Sequence, residues 1–355
     1  MKKILSALLV VSMLLVGSIA FADDTYEIAL VTDVGNIDDQ SFNQSAWEGV
    51  QAFAEGEGYT YAYYRPTEDS TEARVESIKT AIDKGAKVIV CPGYLFEEAI
   101  YDVQDQYPDV NFLLIDGQPH SADYSDYKTG TNVHNILYRE EQAGYLAGYA
   151  AVMDGYTKLG FLGGMAVPAV VRYGYGYVQG ADAAAAELGI QIEIKYWYSG
   201  VFAPNDDIKV KMSGWYAEGT EVVFSCGGGI YLSACAAAEE ADGKVIGVDT
   251  DQYFVSDTII TSAMKGIKNS VVLALNDLYN NGGVWPEAYA GQTATLGAAE
   301  DCVGLPTADT SWRFQKFTVD EYNALFAKVQ AGEVEISAAI DVEPTVTNST
   351  VDYME

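Results

Sequence analysis

The sequence predicts an α/β fold built from parallel sheets with helices on both faces. Short apolar runs alternate along the chain with amphipathic segments of helical spacing. The strand-like runs are largely apolar on both sides, which is typical of parallel strands covered by helices. With 355 residues, the chain is longer than one typical domain. We therefore expect two doubly wound units rather than one long sheet.

The predicted elements follow one another as strand and helix. Apolar runs such as KVIVC and VNFLLI predict strands over 26–34, 87–91, 110–115, 159–162, 192–197, 221–225 and 244–248. Apolar residues at three- and four-residue spacing predict helices over 42–54, 71–84, 97–106, 140–153, 173–188, 210–218 and 233–241. A polar stretch over 121–131 precedes a new helical region, which suggests a domain boundary near 130–132.

The amino-terminal segment has the pattern of a secretory signal over residues 1–22. Lys2 and Lys3 precede an apolar run, and Ala20 and Ala22 supply the small residues of a cleavage site. The run is shorter than the ~20 residues that a membrane-spanning helix needs. No cysteine lies near the cleavage site to carry a lipid. We expect an exported protein, periplasmic or extracellular, without a lipid anchor.

The charge excludes polyanionic partners. The chain carries 51 acidic and 20 basic residues, a formal net charge of −31 that becomes −33 when Lys2 and Lys3 are removed with the signal. Nucleic acid and anionic membranes would be repelled. With two histidines and no C-x-x-C spacing, no metal and no cofactor is expected. Four cysteines allow three complete pairings, and the sequence does not choose among them.

Catalytic motifs are missing from the sequence. It contains no G-x-S-x-G elbow, H-E-x-x-H pair or phosphate-binding P-loop. The glycine run over 174–180 departs from G-x-G-x-x-G by one residue and follows no predicted strand. Asp33, Asp38 and Asp39 could imitate a paired-carboxylate hydrolase or a calcium loop, but the later ligands of such a loop are missing. We therefore expect a protein that is not an enzyme.

Small residues, aspartates and aromatic residues follow several predicted strands. In a parallel sheet these positions share the ligand-binding edge. Carboxylates accept hydrogen bonds and aromatic rings offer flat faces, so a neutral, hydroxyl-rich and partly flat ligand is indicated. Each carboxylate could instead cap a helix, with Asp38 or Ser41 as candidates for the first helix. Phe42, at the start of that helix, could equally pack in the core.

The segment over 33–49, DVGNIDDQSFNQSAWEG, closely resembles the amino-terminal signature of the basic membrane protein family. These are substrate-binding proteins of ABC importers, including purine nucleoside receptor-like lipoproteins. The resemblance continues through 131–134, 141–148, 160–164, 227–228, 248–252 and 261–265. It implies a type I periplasmic binding protein fold, with two doubly wound parallel-sheet lobes joined by a three-stranded hinge. The implied lobes are 23–131 with 250–283, and 132–249 with 284–355.

The resemblance also implies roles for individual residues. Phe42 would stack on a base, Asp33 and Asp116 would meet polar groups of the ligand, and Asp249 would accept ribose hydroxyls with help from Lys265. Further implied ligand-binding positions are Asn43, Gly228 and, as candidates for a second stacking aromatic, Phe202 and Tyr231.

Two departures from the family pattern affect these expectations. The family usually carries a lipidated cysteine, and its glycine stretch commonly reads GGTG where this chain has GGGIY over 227–231. The prediction is a monomeric binding protein that delivers a nucleoside, with a purine base favoured, to an ABC permease. Binding of a sugar or another small polar metabolite is the first alternative. An extracellular nucleoside hydrolase is the alternative from another class.

Overall fold

The structure is a computed structural model that describes residues 25–354, so the predicted signal segment lies outside the described residues. Within this range, none of the helices combines the length and the apolar character needed to cross a membrane. The described chain forms one six-stranded and one seven-stranded sheet.

The first part of the chain alternates strands and helices: β1 (Ile28–Val31), α1 (Phe42–Glu57), β2 (Tyr61–Tyr64), α2 (Thr71–Asp83), β3 (Val88–Pro92), α3 (Glu97–Val103), β4 (Asn111–Ile115) and β5 (Val133–Tyr138). The alternation continues with α4 (Glu140–Met153), β6 (Lys158–Gly163), α5 (Pro168–Leu188), β7 (Ile192–Tyr198), α6 (Asp206–Ala217), β8 (Val222–Cys226), α7 (Tyr231–Ala241), β9 (Lys244–Asp249), β10 (Ile259–Lys265), α8 (Ile267–Asn280), β11 (Gln292–Leu296), β12 (Val303–Gly304), α9 (Val319–Gln330) and β13 (Ser349–Met354).

The first lobe is a parallel sheet in the order β11-β5-β4-β3-β1-β2. Side chains alternate between its two faces. Leu30 and Val90 belong to a core that includes residues of α1 and α8, whereas Ala29 and Ile89 belong to a core with residues of α2 and α3. Helices therefore cover both faces, which explains why β1, β3 and β4 are buried along their whole length.

The second lobe has the order β12-β10-β9-β8-β6-β7-β13. Its strands are parallel except β12, which runs antiparallel to β10. Phe161 and Phe224 pack with residues of α4 and α5 on one face, and Val223 and Val245 pack with α6 and α7 on the other.

The chain passes between the lobes three times, at residues 139, 266 and 297. Two of these crossings are bonded to each other, since the Arg139 amide donates to the Leu296 carbonyl oxygen at 2.9 Å. The Gly266 amide donates to the carbonyl oxygen of Cys302 at 2.7 Å. Two doubly wound lobes and a three-stranded hinge confirm the predicted fold class.

Three strands lie in a different sheet from the one that the expected lobe boundaries imply. β5 and β11 belong to the first sheet, and β10 belongs to the second. The boundary near 130–132 was drawn at a polar stretch, but β5 continues the sheet beyond it, with Val133 opposite Phe112. β5 was not predicted as a strand because His134 and Asn135 interrupt its apolar pattern. Both are buried, and Asn135 is bonded to threonine hydroxyls on neighbouring segments.

The glycine run over 174–180 lies inside α5, where it serves helix packing. A Cβ atom at Gly176 would lie 2.1 Å from the Glu141 carbonyl oxygen, and one at Gly180 would lie 1.9 Å from that of Tyr145. On α4, a Cβ at Gly144 would lie 2.1 Å from the Tyr173 carbonyl oxygen. Glycines on both helices therefore allow the two backbones to touch.

Candidate functional site

The lobes enclose a cavity of about 600 Å³ at the carboxyl ends of their strands. The order β2-β1-β3 reverses direction between β1 and β3, and β7-β6-β8 does so between β6 and β8. Such switch points open a crevice, because the connections on their two sides leave in opposite directions. The cavity is lined from the first by Asp33 and Gly93, and from the second by Met165 and Gly227.

Asp33 follows β1 and is held by two donors on one oxygen. The Gly35 amide lies 2.7 Å from Asp33 Oδ1, and Asn43 Nδ2 lies 2.9 Å from the same atom. Gly93 allows this arrangement, since its φ is +115° and a Cβ there would lie 3.2 Å from Asp33 Oδ2. Burial raises the pKa of Asp33, opposed by these hydrogen bonds. The other carboxylate oxygen, Asp33 Oδ2, makes neither of these bonds, and Asp33 lines the cleft.

Asp39 caps α1, a role that the sequence had assigned to Asp38 or Ser41. Its carboxylate accepts from the amides of Ser41, Asn43 and Gln44. The Ser41 side chain makes no capping bond, although Ser41 occupies the cap position. The capping prediction was therefore wrong, since Asp39 lies one residue after Asp38 and two residues before Ser41. Loop geometry decides which of several adjacent oxygen-bearing side chains reaches the helix amides.

Phe42 is half-buried and lines the cavity. The Lys265 ammonium lies 5.0 Å from its ring centroid and also 5.0 Å from that of Tyr138. Phe42 packs against the core as well. The Phe42 ring therefore packs against the core and also faces the cleft.

Phe202 lines the cavity from the second lobe and explains part of the glycine stretch. A Cβ at Gly164 would lie 2.4 Å from the Phe202 ring, and one at Gly227 would lie 2.9 Å from it. Gly228 has a φ of +50°, and a Cβ there would meet the Phe202 carbonyl oxygen at 2.9 Å. The glycines thus make room for this ring and for the backbone that carries it.

Four charged side chains form a buried chain across the hinge. Lys265 Nζ lies 2.5 Å from Asp116 Oδ2 and 3.1 Å from Glu140 Oε1. Glu140 Oε2 in turn accepts from Arg172 Nε at 2.6 Å. Lys265 and Glu140 are almost completely buried. Two cations and two carboxylates balance, so each charge has a partner in a region with little water.

Asp116 directly follows β4 and Asp249 is the last residue of β9, and both have left-handed backbones, at φ +62° and +65°. Such conformations are unfavourable for residues other than glycine and cluster at functional sites. Asp249 Oδ2 accepts from the Ser41 hydroxyl of the opposite lobe at 2.5 Å. The two carboxylates thus face the cleft from opposite lobes. Each is carried by a residue whose backbone conformation is unfavourable and is held by the surrounding fold.

Two buried acceptors on residues that line the cavity have no partner within residues 25–354. Asp116 Oδ1 and Asn43 Oδ1 are buried and accept no hydrogen bond. An acceptor buried without a donor costs free energy, on the order of 1–3 kcal/mol. Both side chains line the cavity, so a bound molecule that brings hydrogen-bond donors would relieve this cost.

The pKa values reflect this enclosure. Burial raises the pKa of Asp116 to about 7, although the Lys265 charge opposes it. Burial also raises the pKa of Asp249, again with Lys265 acting in the opposite direction. Burial alone would lower the pKa of Lys265, but the charges of Asp116, Glu140 and Asp249 outweigh it and raise it. Lys265 is therefore a fixed cation.

All the residues that the sequence singled out as ligand-binding line this one cavity: Asp33, Phe42, Asn43, Asp116, Phe202, Gly228, Tyr231, Asp249 and Lys265. Sequence reasoning missed Ser41 as a partner of Asp249, and Glu140 as a partner of Lys265. A paired acidic start to the helix over 140–153 was visible, but nothing in the sequence connects Glu140 with a lysine 125 positions later.

Within residues 25–354, no cluster of three or more His, Cys, Asp or Glu side chains could hold a metal ion. The four cysteines are buried and free. The possible pairings that the sequence left open are thus not formed in this structure.

Two doubly wound lobes, a three-crossing hinge and a ligand-sized cleft between them define the type I periplasmic binding protein class. Within this class the chain belongs to the Bmp family, described as ABC transporter substrate-binding protein PnrA-like, which it matches over residues 27–339.

Relatives of known name are about 30% identical to this chain over the residues that align with it. It is 32% identical over 242 residues to the ABC transporter nucleoside-binding protein BmpA of Lactococcus lactis subsp. cremoris, covering 64% of each chain. It is 29% identical over 289 residues to basic membrane protein B of Borreliella burgdorferi, covering 80% of this chain and 81% of that one. The match thus spans a little under two thirds of the Lactococcus protein.

Solved structures support the fold. An ABC transporter solute-binding protein of Aeropyrum pernix K1 superimposes with a TM-score of 0.74 at 23% identity, covering 89% of this chain and 94% of the other. A corresponding protein of Conexibacter woesei has a TM-score of 0.68 at 20% identity, covering 88% and 99%.

Proposed function

We propose that this protein captures a nucleoside, with a purine base favoured, between its lobes and presents it to the permease of an ABC importer. The observation that carries the proposal is the meeting of an aromatic face with unpartnered buried acceptors in one cavity, at Phe42, Asn43 and Asp116. The similar Lactococcus protein is named as a nucleoside-binding protein, which supports the same ligand class.

The base would lie against Phe42. Since the Lys265 ammonium lies close to this ring, the ring is held in place and a flat ligand can stack on its cleft side. Phe202 approaches from the opposite lobe and is the better candidate for the second aromatic. Tyr231, the other candidate, has its hydroxyl bonded to the Asp39 carbonyl oxygen at 3.2 Å. Asp33, Asn43 and Asp116 supply acceptors for donors on the base.

The sugar would be recognised by Asp249, which lines the cavity from the second lobe. A buried carboxylate bonded to a hydroxyl discriminates strongly against ligands without that hydroxyl, because its desolvated oxygen would be left unpaired. Phosphorylated nucleotides are disfavoured, since Asp33, Asp116 and Asp249 would repel them and the charge of Lys265 is already balanced.

Delivery to a permease would follow from closure of the lobes around the ligand, a ligand-driven population shift. Export is part of this proposal, because an importer takes up its substrate outside the cytoplasm. We propose capture without chemical conversion, by a monomer.

Calorimetry with adenosine, guanosine, inosine, cytidine and ribose tests the ligand class. The expected result is tight binding of at least one purine nucleoside and much weaker binding of ribose. Silence from every nucleoside would refute the proposal, and preference for ribose would favour the sugar alternative.

A second experiment separates binding from hydrolysis. The nucleoside is incubated with the protein and then analysed by chromatography. Recovery of the intact nucleoside is expected, whereas release of free base and ribose would favour the hydrolase. The same panel with Asp249→Ala should lose more affinity for a nucleoside than for its free base.

A further inference from the structure

The loop that precedes α1 bonds to the opposite lobe through consecutive residues. The Asp39 carbonyl oxygen accepts from the Tyr231 hydroxyl at 3.2 Å. The Gln40 carbonyl oxygen accepts from Thr250 Oγ1 and Gln252 Nε2, each at 2.9 Å. Gln40 has a φ of +54°, in the left-handed region that residues other than glycine rarely adopt. These bonds join the two lobes and require them to be closed.

The next residue, Ser41, adds a bond that reaches the ligand cavity. Its side chain is completely buried and occupies the cap position of α1 without capping it, because the Asp39 carboxylate takes the helix amides. The hydroxyl is therefore free for another partner. It donates to Asp249 Oδ2 at 2.5 Å across the cleft.

This bond leaves Asp249 with one committed oxygen and one available oxygen. Oδ2 is held by Ser41, and Oδ1 has no hydrogen-bond partner within residues 25–354. The φ of +65° at Asp249 and the bond to Ser41 together fix the direction of the carboxylate. A ligand hydroxyl meets an oxygen whose position is already determined.

We propose that Ser41 is a positioning residue that aims Asp249 at a ligand hydroxyl and makes that aim depend on lobe closure. The inference deepens the proposed function and rests on it for the nature of the ligand. Ser41 lies on the first lobe and Asp249 on the second, so the carboxylate reaches its binding geometry only when the lobes meet. Recognition of the hydroxyl and closure of the lobes are therefore coupled. A ligand without the hydroxyl stabilises the closed conformation less.

The first arm of the test measures affinity by calorimetry, with a purine ribonucleoside and its 2′,3′-dideoxy analogue. Ser41→Ala should weaken ribonucleoside binding by roughly ten- to hundredfold, the range for a hydrogen bond to a charged group. It should weaken binding of the dideoxy analogue less. Ser41→Thr keeps the hydroxyl and should restore most of the affinity. Equal losses for both ligands, or a Ser41→Thr protein as weak as Ser41→Ala, would overturn the proposal.

Thr250→Val is the matched control. It removes one of the bonds to the Gln40 carbonyl oxygen, and Thr250 does not line the cavity. It should therefore weaken both ligands by the same factor, because it acts on closure alone. If Thr250→Val instead weakened binding of the ribonucleoside more than binding of the dideoxy analogue, selectivity for the hydroxyl would come from closure in general. That result would overturn the role of Ser41.

The second arm follows the Asp249 carboxyl group directly, without measuring affinity, and so separates this inference from the proposed function. The protein is labelled with ¹³Cγ-aspartate, and the Asp249 carboxyl resonance is titrated by NMR. Burial raises the pKa of Asp249, with further raising effects from Asp39 and Glu140, whereas the Lys265 charge and the bond from Ser41 lower it. Ser41→Ala should move the Asp249 midpoint to higher pH, and Ser41→Thr should return it. The titration is made without ligand and again with the nucleoside panel at saturating concentration. An unchanged midpoint in Ser41→Ala under both conditions refutes the Ser41–Asp249 bond even if nucleosides bind, and a shifted midpoint under either condition supports it.

Discussion

Lys265 Nζ lies 2.5 Å from Asp116 Oδ2, and this buried ion pair connects the last residue of β10 in the second lobe with the loop after β4 in the first. Glu140, at the hinge, contacts the same ammonium at 3.1 Å. The pair thus lies where the three-crossing hinge meets the floor of the cleft. The three charges stabilise the site mainly because the Lys265 ammonium and the two carboxylates compensate one another, so that none is buried without a partner.

Removing Lys265 should therefore destabilise the protein strongly. Lys265→Met leaves Asp116 and Glu140 buried with fewer partners, and a loss of about 3–5 kcal/mol in the free energy of unfolding is expected. Lys268→Met is the matched control, since its 3.2 Å pair with Glu48 is half-exposed. It should cost no more than about 1 kcal/mol. Urea unfolding of both variants measures the difference, and similar small losses would show that the buried pair has no special role.

The contact between α4 and α5 should not tolerate a methyl group. Gly176→Ala places a Cβ 2.1 Å from the Glu141 carbonyl oxygen, so the helices must separate, at a cost of about 1–3 kcal/mol or more. Gly214→Ala is the control, because Gly214 lies in α6 with open space around its Cβ position. That variant should gain up to about 1 kcal/mol from helix propensity. Thermal unfolding that ranks the two variants the other way would contradict the packing.

Glu141 should make stability depend on pH. Burial raises its pKa from 4.5 to about 7, and Glu140 adds to the effect. The folded protein then holds this proton more tightly than the unfolded chain, so stability falls as pH rises from about 4.5 through 7. Glu141→Gln should remove roughly 1–3 kcal/mol of the difference between pH 5 and pH 8.

The control for this prediction is Glu57→Gln, on the exposed last residue of α1. Its pH profile should match that of the wild-type protein. Melting temperatures measured from pH 5 to pH 8 provide the comparison. A Glu141→Gln profile as steep as the wild-type one would mean that other carboxyls, such as Asp116, account for the dependence.

Phe42 should contribute a flat face rather than mere apolar volume. Phe42→Ala is expected to cost about 1–3 kcal/mol of nucleoside binding, and Phe42→Leu should recover little of it because leucine offers no ring. Phe254→Ala, at an exposed position outside the cavity, should leave the affinity unchanged. If Phe42→Ala instead lowered the melting temperature while binding persisted, its role would be core packing alone.

Residue patterns along the chain were sufficient to predict the α/β class, three of the six strands described in the first sheet and four of the seven described in the second. Together with the family resemblance, they also gave the candidate cleft residues. Periodicity identified helices such as 140–153, and polar or aromatic residues after buried strands identified Asp33, Asp116 and Asp249. Periodicity could not find β5, where polar residues are buried because neighbouring segments supply their partners.

The tertiary structure alone decided which residues act on one another. Chain positions 41 and 249, or 140 and 265, meet only because two separate sheets direct their strand ends into one cleft. It also decided that Asp39 rather than Ser41 caps α1, that glycines 176 and 180 let two helices pack closely, and that β10 belongs to the second sheet. Local sequence encodes burial and periodicity, which depend on near neighbours. Pairing of charges and donors depends on distances between remote segments, and only the folded chain fixes those.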